Sequence, residues 1–291
     1  MGKGFDTISF LSDLGVVDEH VGVVKAIVRD LAPHAQVIDL THNIKPYDVR
    51  AGSLALARAV TYLPAGVILA VVDAGERRAV GVEVAGGKGV LLGPDNGLLA
   101  SAVAMVGGAE RAVVLDRAEF HLASPGGTFA VRDVFAPIAA HLCNGTDLAD
   151  LGRLVDADSI LPGVVPLPRD LDVDAGGGDG VRAEVLWIDQ TGNCQLNIGL
   201  DDLSPWGVGD GTRLQITAGD QTRSVLRVAR AGSLGPGAVG LLLDSSGLLT
   251  LVLDRRSAAD ELSLAAGDQV TVQPSTESAV SEVSVTLGLR P

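Results

Sequence analysis

Two aspartates in this sequence stand where chemistry is expected, because each follows an apolar run. Asp13 comes after residues 8–11 and before Leu14 and Gly15, so it is predicted to lie where a strand ends and a helix begins. In an open α/β sheet, ligands bind at the carboxyl ends of the strands. A carboxylate there can accept two hydrogen bonds from a vicinal diol such as that of a ribose. The alternative is that Asp13 caps the helix or shapes the turn.

The second aspartate, Asp73, ends the most hydrophobic run of the chain, residues 66–72, and Arg77 and Arg78 follow shortly after it. An aspartate at a strand end with an arginine four residues later could hold a water or hydroxide between a general base and a fixed cation. The alternative is an ion pair within the turn, which contributes about 0–1 kcal/mol if it is exposed. Both interpretations stay open on the residues alone.

Other reactive residue types form no recognisable catalytic pattern. The sequence shows no Ser-His-Asp, Cys-His, metal-binding or phosphate-loop motif. His42 follows a strand end, where a local hydrogen-bonding role is favoured over a role in a site, and His34 and His141 are expected to be structural. Cys143 and Cys194 have neither metal-ligand spacing nor a disulfide framework, so both are predicted to be buried thiols in a reducing compartment. Any hydrolysis would therefore rely on carboxylates, arginine and backbone dipoles.

The first half of the chain alternates apolar runs with helical patterns, which must position these residues. Strands are predicted at residues 7–11, 36–40, 66–72, 79–84, 89–92 and 112–115, and helices at residues 19–31, 49–62, 96–106 and 134–143. Continuous apolar strands between helices indicate an α/β domain whose mainly parallel sheet is covered on both faces.

The second half has a different pattern, with short β-rich runs separated by frequent turn signals. These runs are residues 183–188, 213–218, 224–229, 239–243, 248–252 and 269–273, as in a small all-β barrel or sandwich. A proline-rich stretch and a glycine-rich stretch, which includes Gly176–Gly178, come before them and are predicted to be a solvated linker or hairpin tip. We therefore expect an α/β domain at residues 1–165, a linker at 166–180 and an all-β domain at 181–291.

Composition and net charge argue against some classes of function. The 291 residues suffice for two domains with sizeable cores, and 47% of them are hydrophobic. A net charge of −14 argues against nucleic-acid binding, which needs Lys/Arg patches, and favours cationic ligands. The sequence has neither a signal-peptide pattern at its start nor an apolar run of the roughly 18 residues that span a membrane. The chain is therefore predicted to be cytoplasmic and without a membrane partner.

The two aspartates belong to a series of short motifs that occur along the chain in a characteristic order. The segments are Ser12-Asp13-Leu14-Gly15 with Asp18, Val37-Ile38-Asp39-Leu40-Thr41-His42, Pro46-Tyr47-Asp48-Val49, Val71-Val72-Asp73, Gly93-Pro94-Asp95-Asn96-Gly97-Leu98-Leu99, Thr128-Phe129, Arg132-Asp133, Ile188-Asp189 with Gly192-Asn193, and Asp244-Ser245-Ser246-Gly247. Taken together they resemble the SAM hydroxide adenosyltransferases (adenosine-forming SAM hydrolases), relatives of the SAM-dependent fluorinase and chlorinase. The resemblance covers roughly the full chain.

This resemblance implies a fold, an assembly and a reaction. The fold is an α/β domain followed by a small β-barrel, and the assembly is a homotrimer with each site between one subunit's first domain and its neighbour's second. The reaction converts S-adenosyl-L-methionine (SAM) and water to adenosine and L-methionine by attack on C5′, without a cofactor or a metal.

The resemblance also implies site residues in both domains. The substrate contacts would be Asp13 at the ribose hydroxyls, Tyr47 beside the sugar, Asn96, Thr128 and Phe129 near the reacting centre, Asn193 at the adenine, and Asp189 and Ser245 at the methionine ammonium and carboxylate. Asp73 and one of the arginines, Arg77 or Arg78, correspond to two members of the family's water-activating Asp-Arg-His triad.

Three departures from the family pattern bear on the rate. Ala130 stands where the triad histidine is usual, the loop after Asp73 is shorter, and Thr191 stands where an aromatic residue is usual. Slow hydrolysis is one expectation, and a non-catalytic adenosine- or SAM-binding protein is the alternative. Halide-dependent adenosyl transfer is a third, weaker interpretation, because an anionic Asp73 beside the nucleophile would repel a halide.

Overall fold

The structure, a computed structural model, describes residues 4–171 and 179–275. The chain forms two compact units, Met1–Val165 and Pro166–Pro291. The glycine run Gly176–Gly178 and the end of the predicted all-β domain beyond residue 275 lie outside the described residues. No described helix is long and apolar enough to cross a membrane.

The first unit is built on one seven-stranded sheet. Its strands are β1 (Thr7–Ser12), β2 (Gln36–Thr41), β3 (Gly66–Val71), β4 (Ala79–Val84), β5 (Gly89–Pro94), β6 (Ala109–Val114) and β7 (Arg153–Val155). They lie in the order β2-β1-β3-β5-β4-β6-β7. The first four strands in this order, β2, β1, β3 and β5, are parallel to one another. Strands β4, β6 and β7 each pair antiparallel with the strand before them in this order. The parallel strands thus end at a common edge, as the predicted α/β domain requires.

In the described part of this unit, four α-helices accompany the sheet: α1 (His20–Leu31), α2 (Val49–Val60), α3 (Ala100–Met105) and α4 (Ala136–Cys143). α1 packs with α4, and α2 packs with α3. Every residue of β3 is buried, which explains its continuous apolar sequence. The largest buried side chains of this core include Phe10 and Phe135, which lie in one cluster with Val24 and Val28 of α1. The candidate site therefore stands on a rigid, close-packed sheet.

The beginnings of two helices differ from the sequence prediction. A single π-helical turn, Val131–Phe135, leads into α4, so the helical segment starts directly after Ala130. Pro137 is tolerated because it falls in the first turn of α4. α3 begins at Ala100 rather than at residue 96, because Gly97 has a φ of 90° and turns the chain.

The second unit is a closed barrel of seven strands. Strands of this unit are β8 (Arg169–Asp170), β9 (Val181–Ile188), β10 (Cys194–Leu196), β11 (Arg213–Ala218), β12 (Gln221–Arg227), β13 (Val239–Leu243), β14 (Leu249–Leu253) and β15 (Gln269–Pro274). The barrel order is β9-β10-β14-β13-β12-β11-β15, and β9 closes it by pairing with both β10 and β15. The short β8 pairs with β9 outside this ring. The predicted small β-barrel is confirmed.

One short helix, α5 (Ala258–Leu262), follows β14, and Ser257 caps it by accepting the backbone N–H of Asp260. Cys194 points into the barrel core and Cys143 into the core of the first unit, and both thiols are free and buried. Burial raises the pKa of each thiol to about 12, so both stay protonated near neutral pH. The predicted buried, unbridged cysteines are confirmed.

Candidate active site

The candidate residues of the first unit follow the carboxyl ends of its parallel strands. Asp13 comes directly after β1, Asp73 follows β3, and Asn96 follows β5. His42 comes directly after β2. These strands are neighbours in the sheet, so their ends meet at one edge, which is where ligands bind in open α/β sheets.

Asp13 is the centre of this edge. Its Oδ2 accepts the backbone N–H of Asp73 at 3.1 Å and that of Tyr47 at 3.3 Å. Both donors have left-handed backbones, with φ values of 49° and 67°. A non-glycine residue in this region costs about 1–3 kcal/mol unless its surroundings hold it, and such strain clusters at functional sites. One carboxylate oxygen thus brings three of the predicted site residues together, and Tyr47 keeps its ring exposed.

The other oxygen of Asp13 is available to a ligand. Among the residues that the structure describes, Asp13 Oδ1 accepts no hydrogen bond. A carboxylate oxygen has two acceptor positions. The organising role of Asp13 in the turn and a role toward a diol are therefore compatible, because they use different oxygens.

Asn96 holds the Asp73 loop in place. Its Nδ2 donates to the carbonyl oxygens of Val72 at 2.9 Å and Asp73 at 3.2 Å, and its Oδ1 accepts the N–H of Leu98 at 3.2 Å. The side-chain amide is thereby bonded at both ends to backbone. A direct substrate contact by Asn96 stays a prediction, and these bonds favour a positioning role for it.

The two candidate arginines have different surroundings. Arg78 forms an ion pair with Asp95, whose side chain is only 2% exposed, and also donates to the carbonyl of Ser159 at 3.2 Å. The second oxygen of Asp95 accepts the N–H of Leu161 at 2.7 Å. Arg77 is exposed and has no ion pair within residues 4–171 and 179–275. The geometry therefore favours Arg77 as the cation available to a substrate.

This difference predicts unequal effects of two alanine substitutions on stability. Arg78→Ala should lower the free energy of unfolding by about 1–3 kcal/mol, because it leaves a buried carboxylate with one partner fewer. Arg77→Ala should leave the free energy of unfolding within about 0.5 kcal/mol of the parent, as is usual for an exposed side chain. Urea denaturation of both variants measures this. Equal stability of the two variants would contradict the assignment.

Phe129 lies in a cluster of rings and charges before the π-helical turn. The imidazole of His20 packs edge-on against its ring with centroids 4.7 Å apart, and the guanidinium of Arg132 lies 5.3 Å from the ring centroid. Arg132 forms a two-pronged ion pair with Asp133, which holds the pKa of that carboxyl below its usual value. Thr128 is exposed beside Phe129. This cluster fixes the orientation of Phe129.

In the second unit, Asp189 organises the turn between β9 and β10. Its Oδ1 accepts from the backbone N–H and the hydroxyl of Thr191 and from the N–H of Asn193, and its Oδ2 accepts from the Asn193 amide at 2.9 Å. Burial alone would raise the pKa of Asp189, but these hydrogen bonds outweigh it and lower the pKa. The structure thus brings Asp189 and Asn193 together, with Asp189 ionised.

A cavity of about 480 Å³ opens beside this turn. Its lining includes Thr191 and Asn193, together with Arg255, Arg256 and Ser257 from the segment after β14. Arg255 has a φ of 55°, another left-handed backbone. These last three residues were not among the candidates predicted from the sequence, although the charged sequence Asp254-Arg255-Arg256 after an apolar strand was a signal of the same kind as Asp73.

Ser245 occupies a different turn, between β13 and β14. Asp244 organises this turn by accepting the backbone N–H groups of Ser246 and Leu248, and it also accepts from Gln195 of β10 at 2.6 Å. Ser245 itself is exposed. Because Ser245 precedes β14 and Arg255 follows it, the two turns flank opposite ends of one strand.

Comparison with known proteins decides the family. Residues 8–152 match the SAM hydroxide adenosyltransferase N-terminal domain, and residues 183–271 match the SAM hydroxide adenosyltransferase C-terminal domain. The chain belongs to the SAM hydroxide adenosyltransferase family. The two matched segments contain all of the candidate residues described above.

Individual relatives agree with this assignment. An (R)-S-adenosyl-L-methionine hydrolase of Salinispora tropica is 39% identical over 268 residues, which cover 91% of this chain and 97% of the relative. A fluorinase of Actinoplanes sp. is 28% identical over 93% of this chain and 98% of its own length. A crystal structure of an uncharacterized conserved protein from Thermotoga maritima superposes with a TM-score of 0.81 at 28% identity, covering 91% of this chain and 99% of that one. Both domains of this adenosyltransferase thus have full-length counterparts.

No group of three or more His, Cys, Asp or Glu side chains in the described parts of the chain is arranged to hold a metal ion.

Proposed function

We propose that this SAM hydroxide adenosyltransferase hydrolyses SAM to adenosine and L-methionine. The observation that carries the proposal is the Asp13 arrangement, in which a carboxylate whose Oδ1 accepts no hydrogen bond from any described residue holds the Asp73 loop at the carboxyl edge of the sheet. The hydrolase relative, 39% identical over nearly its full length, supports the same reaction. The binding of a cation also suits a chain of net charge −14.

The reaction mainly requires that the protein align a water molecule with C5′ of SAM. A water oxygen attacks C5′ of SAM in line with the C–S bond, a C–O bond forms, and the electron pair of the breaking C–S bond goes to sulfur. The sulfonium leaves as neutral methionine, so no general acid is needed, and the proton of the attacking water must be accepted. Orientation of the water and exclusion of bulk solvent supply the remaining acceleration.

In this proposal Asp73 accepts the proton from the attacking water, and Arg77 holds the oxygen in place. Asp13 Oδ1 accepts hydrogen bonds from the ribose hydroxyls, and the exposed ring of Tyr47 packs beside the sugar. Thr128 and Phe129 line the reacting centre. The left-handed backbone of Asp73 supports its role, because that strained conformation is held from both sides by Asp13 and Asn96.

The second unit contributes recognition in this proposal. Asn193 contacts the adenine at the cavity that it lines with Arg255 and Arg256. Asp189, which is ionised, pairs with the methionine ammonium, and Ser245 donates to the methionine carboxylate. SAM is a substrate here, and no cofactor is proposed. The homotrimer with sites between subunits that the family resemblance implies stays a prediction.

The proposal is tested by product analysis after long incubation with SAM in water enriched in heavy oxygen. Hydrolysis predicts adenosine that carries the heavy oxygen at O5′, together with an equal amount of methionine. Because the hydrolase relative is named for the R configuration at sulfur, the two sulfonium epimers are supplied separately.

Parallel incubations with chloride and fluoride identify the other outcomes. A 5′-halogenated adenosine would show halide-dependent transfer, the activity for which the more distant relative is named. Binding of adenosine or SAM without any product would show a non-catalytic binding protein. Either result would overturn the proposed hydrolysis.

A further inference from the structure

Three polar side chains form a line beneath Asp13. The hydroxyl of Ser12, the last residue of β1, lies 2.8 Å from Nδ1 of His42, and Nε2 of His42 lies 3.1 Å from Oδ1 of Asp39 on β2. Ser12 is 0% exposed and His42 is 5% exposed. Lys25 of α1 extends the line by an ion pair with the other oxygen of Asp39 at 2.5 Å.

This line has the composition of a serine-hydrolase triad but not its geometry. In such a triad Nε2 faces the serine and Nδ1 faces the aspartate, and the hydroxyl opens to the substrate. Here Nδ1 faces Ser12, Nε2 faces Asp39, and the hydroxyl is fully buried. A nucleophilic role of Ser12 is therefore excluded. This agrees with the sequence, from which no Ser-His-Asp catalytic pattern is expected.

The direction of each hydrogen bond follows from the charges. Burial would raise the pKa of Asp39, but hydrogen bonds from Lys25 and His42 outweigh it and lower the pKa, so Asp39 is an ionised acceptor. His42 therefore carries a proton on Nε2. In the neutral imidazole, Nδ1 then accepts a hydrogen bond from the hydroxyl of Ser12. The lone pairs of the Ser12 hydroxyl then face the backbone N–H of Leu14 at 3.4 Å.

The backbone of His42 also bonds to the turn that carries Asp13, residues 13–15. Its carbonyl oxygen accepts the N–H of Gly15 at 2.7 Å, and Gly15 has a φ of 72°. Phe10 of β1 packs against the imidazole with ring centroids 4.6 Å apart, which fixes the ring plane. The turn that carries Asp13 is thus held at Leu14 through Ser12 and at Gly15 directly.

We infer that His42 is a positioning residue of the nucleoside site, which acts through Ser12 and Gly15 to hold Asp13 Oδ1 toward the ribose diol. This inference rests on the proposed function to the extent that Asp13 binds the ribose. His42 is buried behind the turn and acts on the ligand only through Asp13. The Lys25–Asp39 pair sets its tautomer from α1.

Three substitutions test this role, with adenosine affinity measured by calorimetry and turn mobility measured by hydrogen exchange of residues 13–15. His42→Leu removes both imidazole bonds, and Ser12→Ala is the smaller change in case His42→Leu fails to fold. Each is expected to weaken adenosine binding about tenfold, the equivalent of one buried hydrogen bond, and to speed exchange in the turn. His42→Asn should keep most of the adenosine affinity and most of the slow exchange in the turn. The reason is that its amide oxygen lies where Nδ1 lies and accepts a hydrogen bond from Ser12.

Arg111→Leu is the matched control for lost stability. Arg111 bonds Glu83 on the antiparallel half of the sheet and Asp147 in the segment after α4, so its removal destabilises the same unit without touching the turn. We expect unchanged adenosine affinity and unchanged exchange at residues 13–15 in this variant. If Ser12→Ala and His42→Leu leave exchange in the turn at the parent rate, the positioning role is wrong, whether or not adenosine binds. If the parent itself does not bind adenosine while exchange in the turn still responds, the proposed function fails and the hold of His42 on the turn stands.

Discussion

Replacing Asp73 by asparagine is expected to reduce adenosine formation from SAM by about 10²- to 10⁴-fold, the usual effect of losing a general base. The amide of asparagine cannot accept the proton that the attacking water must lose. The substitution is otherwise mild, because asparagine tolerates the left-handed backbone that Asp73 adopts with a φ of 49°. The N–H that donates to Asp13 also remains, so the turn should be kept.

The measurement is the rate of adenosine release at saturating SAM, beside the affinity for adenosine. Glu76→Gln is the matched control, because Glu76 is an exposed carboxylate of the same loop and its neutralisation removes the same charge. We expect Glu76→Gln to hydrolyse SAM at nearly the parent rate. Should Asp73→Asn release adenosine as fast as the parent, the proposed water activation would be wrong.

The fold was predictable because the strands of both units carry strong patterns. β3 is apolar at every position since both faces of the sheet are covered, and such a run is visible without any knowledge of its neighbours. The elements that were missed are short. β7 and β10 have three residues each, and α5 has five, so none contains enough residues for its periodicity to be recognised.

The two aspartates of the site were predictable for a different reason. Asp13 and Asp73 each end a buried strand, and parallel strands bring such ends to one edge whatever the intervening sequence. The hydrogen bonds that Asp13 accepts from the N–H groups of Asp73 and Tyr47 could not be predicted, because they depend on the left-handed backbones of these two donors. Local sequence does not favour that conformation for tyrosine, and tertiary contacts impose it.

The different surroundings of Arg77 and Arg78 could not be predicted from the sequence either. The two are adjacent in sequence and identical in type, and only the long-range ion pair with buried Asp95 separates them. The lining of the cavity by Arg255 and Ser257 was missed for a similar reason, since it depends on β14 ending beside the β9–β10 turn. Contacts between residues far apart in sequence distinguish the roles of like residues.

Replacing Asp13 is expected to abolish most of the affinity for the ribose, and two variants separate its two functions. Asp13→Ala removes both the diol acceptor and the acceptor of the Tyr47 and Asp73 N–H groups. Asp13→Asn can keep the backbone bonds through its amide oxygen but places an NH₂ donor where Oδ1 should accept from the diol. Loss of hydrogen bonds to a charged acceptor predicts roughly 10- to 100-fold weaker adenosine binding for both variants.

Calorimetry with adenosine and with 2′-deoxyadenosine tests the diol contact itself. The parent should bind adenosine more tightly than the deoxy compound, whereas Asp13→Asn should bind the two with nearly equal affinity, because the hydroxyl and its acceptor form one interacting pair. Thermal denaturation provides the control for the turn: Asp13→Asn should melt close to the parent, and Asp13→Ala should melt lower. An Asp13→Asn variant that still prefers adenosine to the parent's extent would show that another group accepts the ribose hydroxyls, and Asp13 would then serve the turn alone.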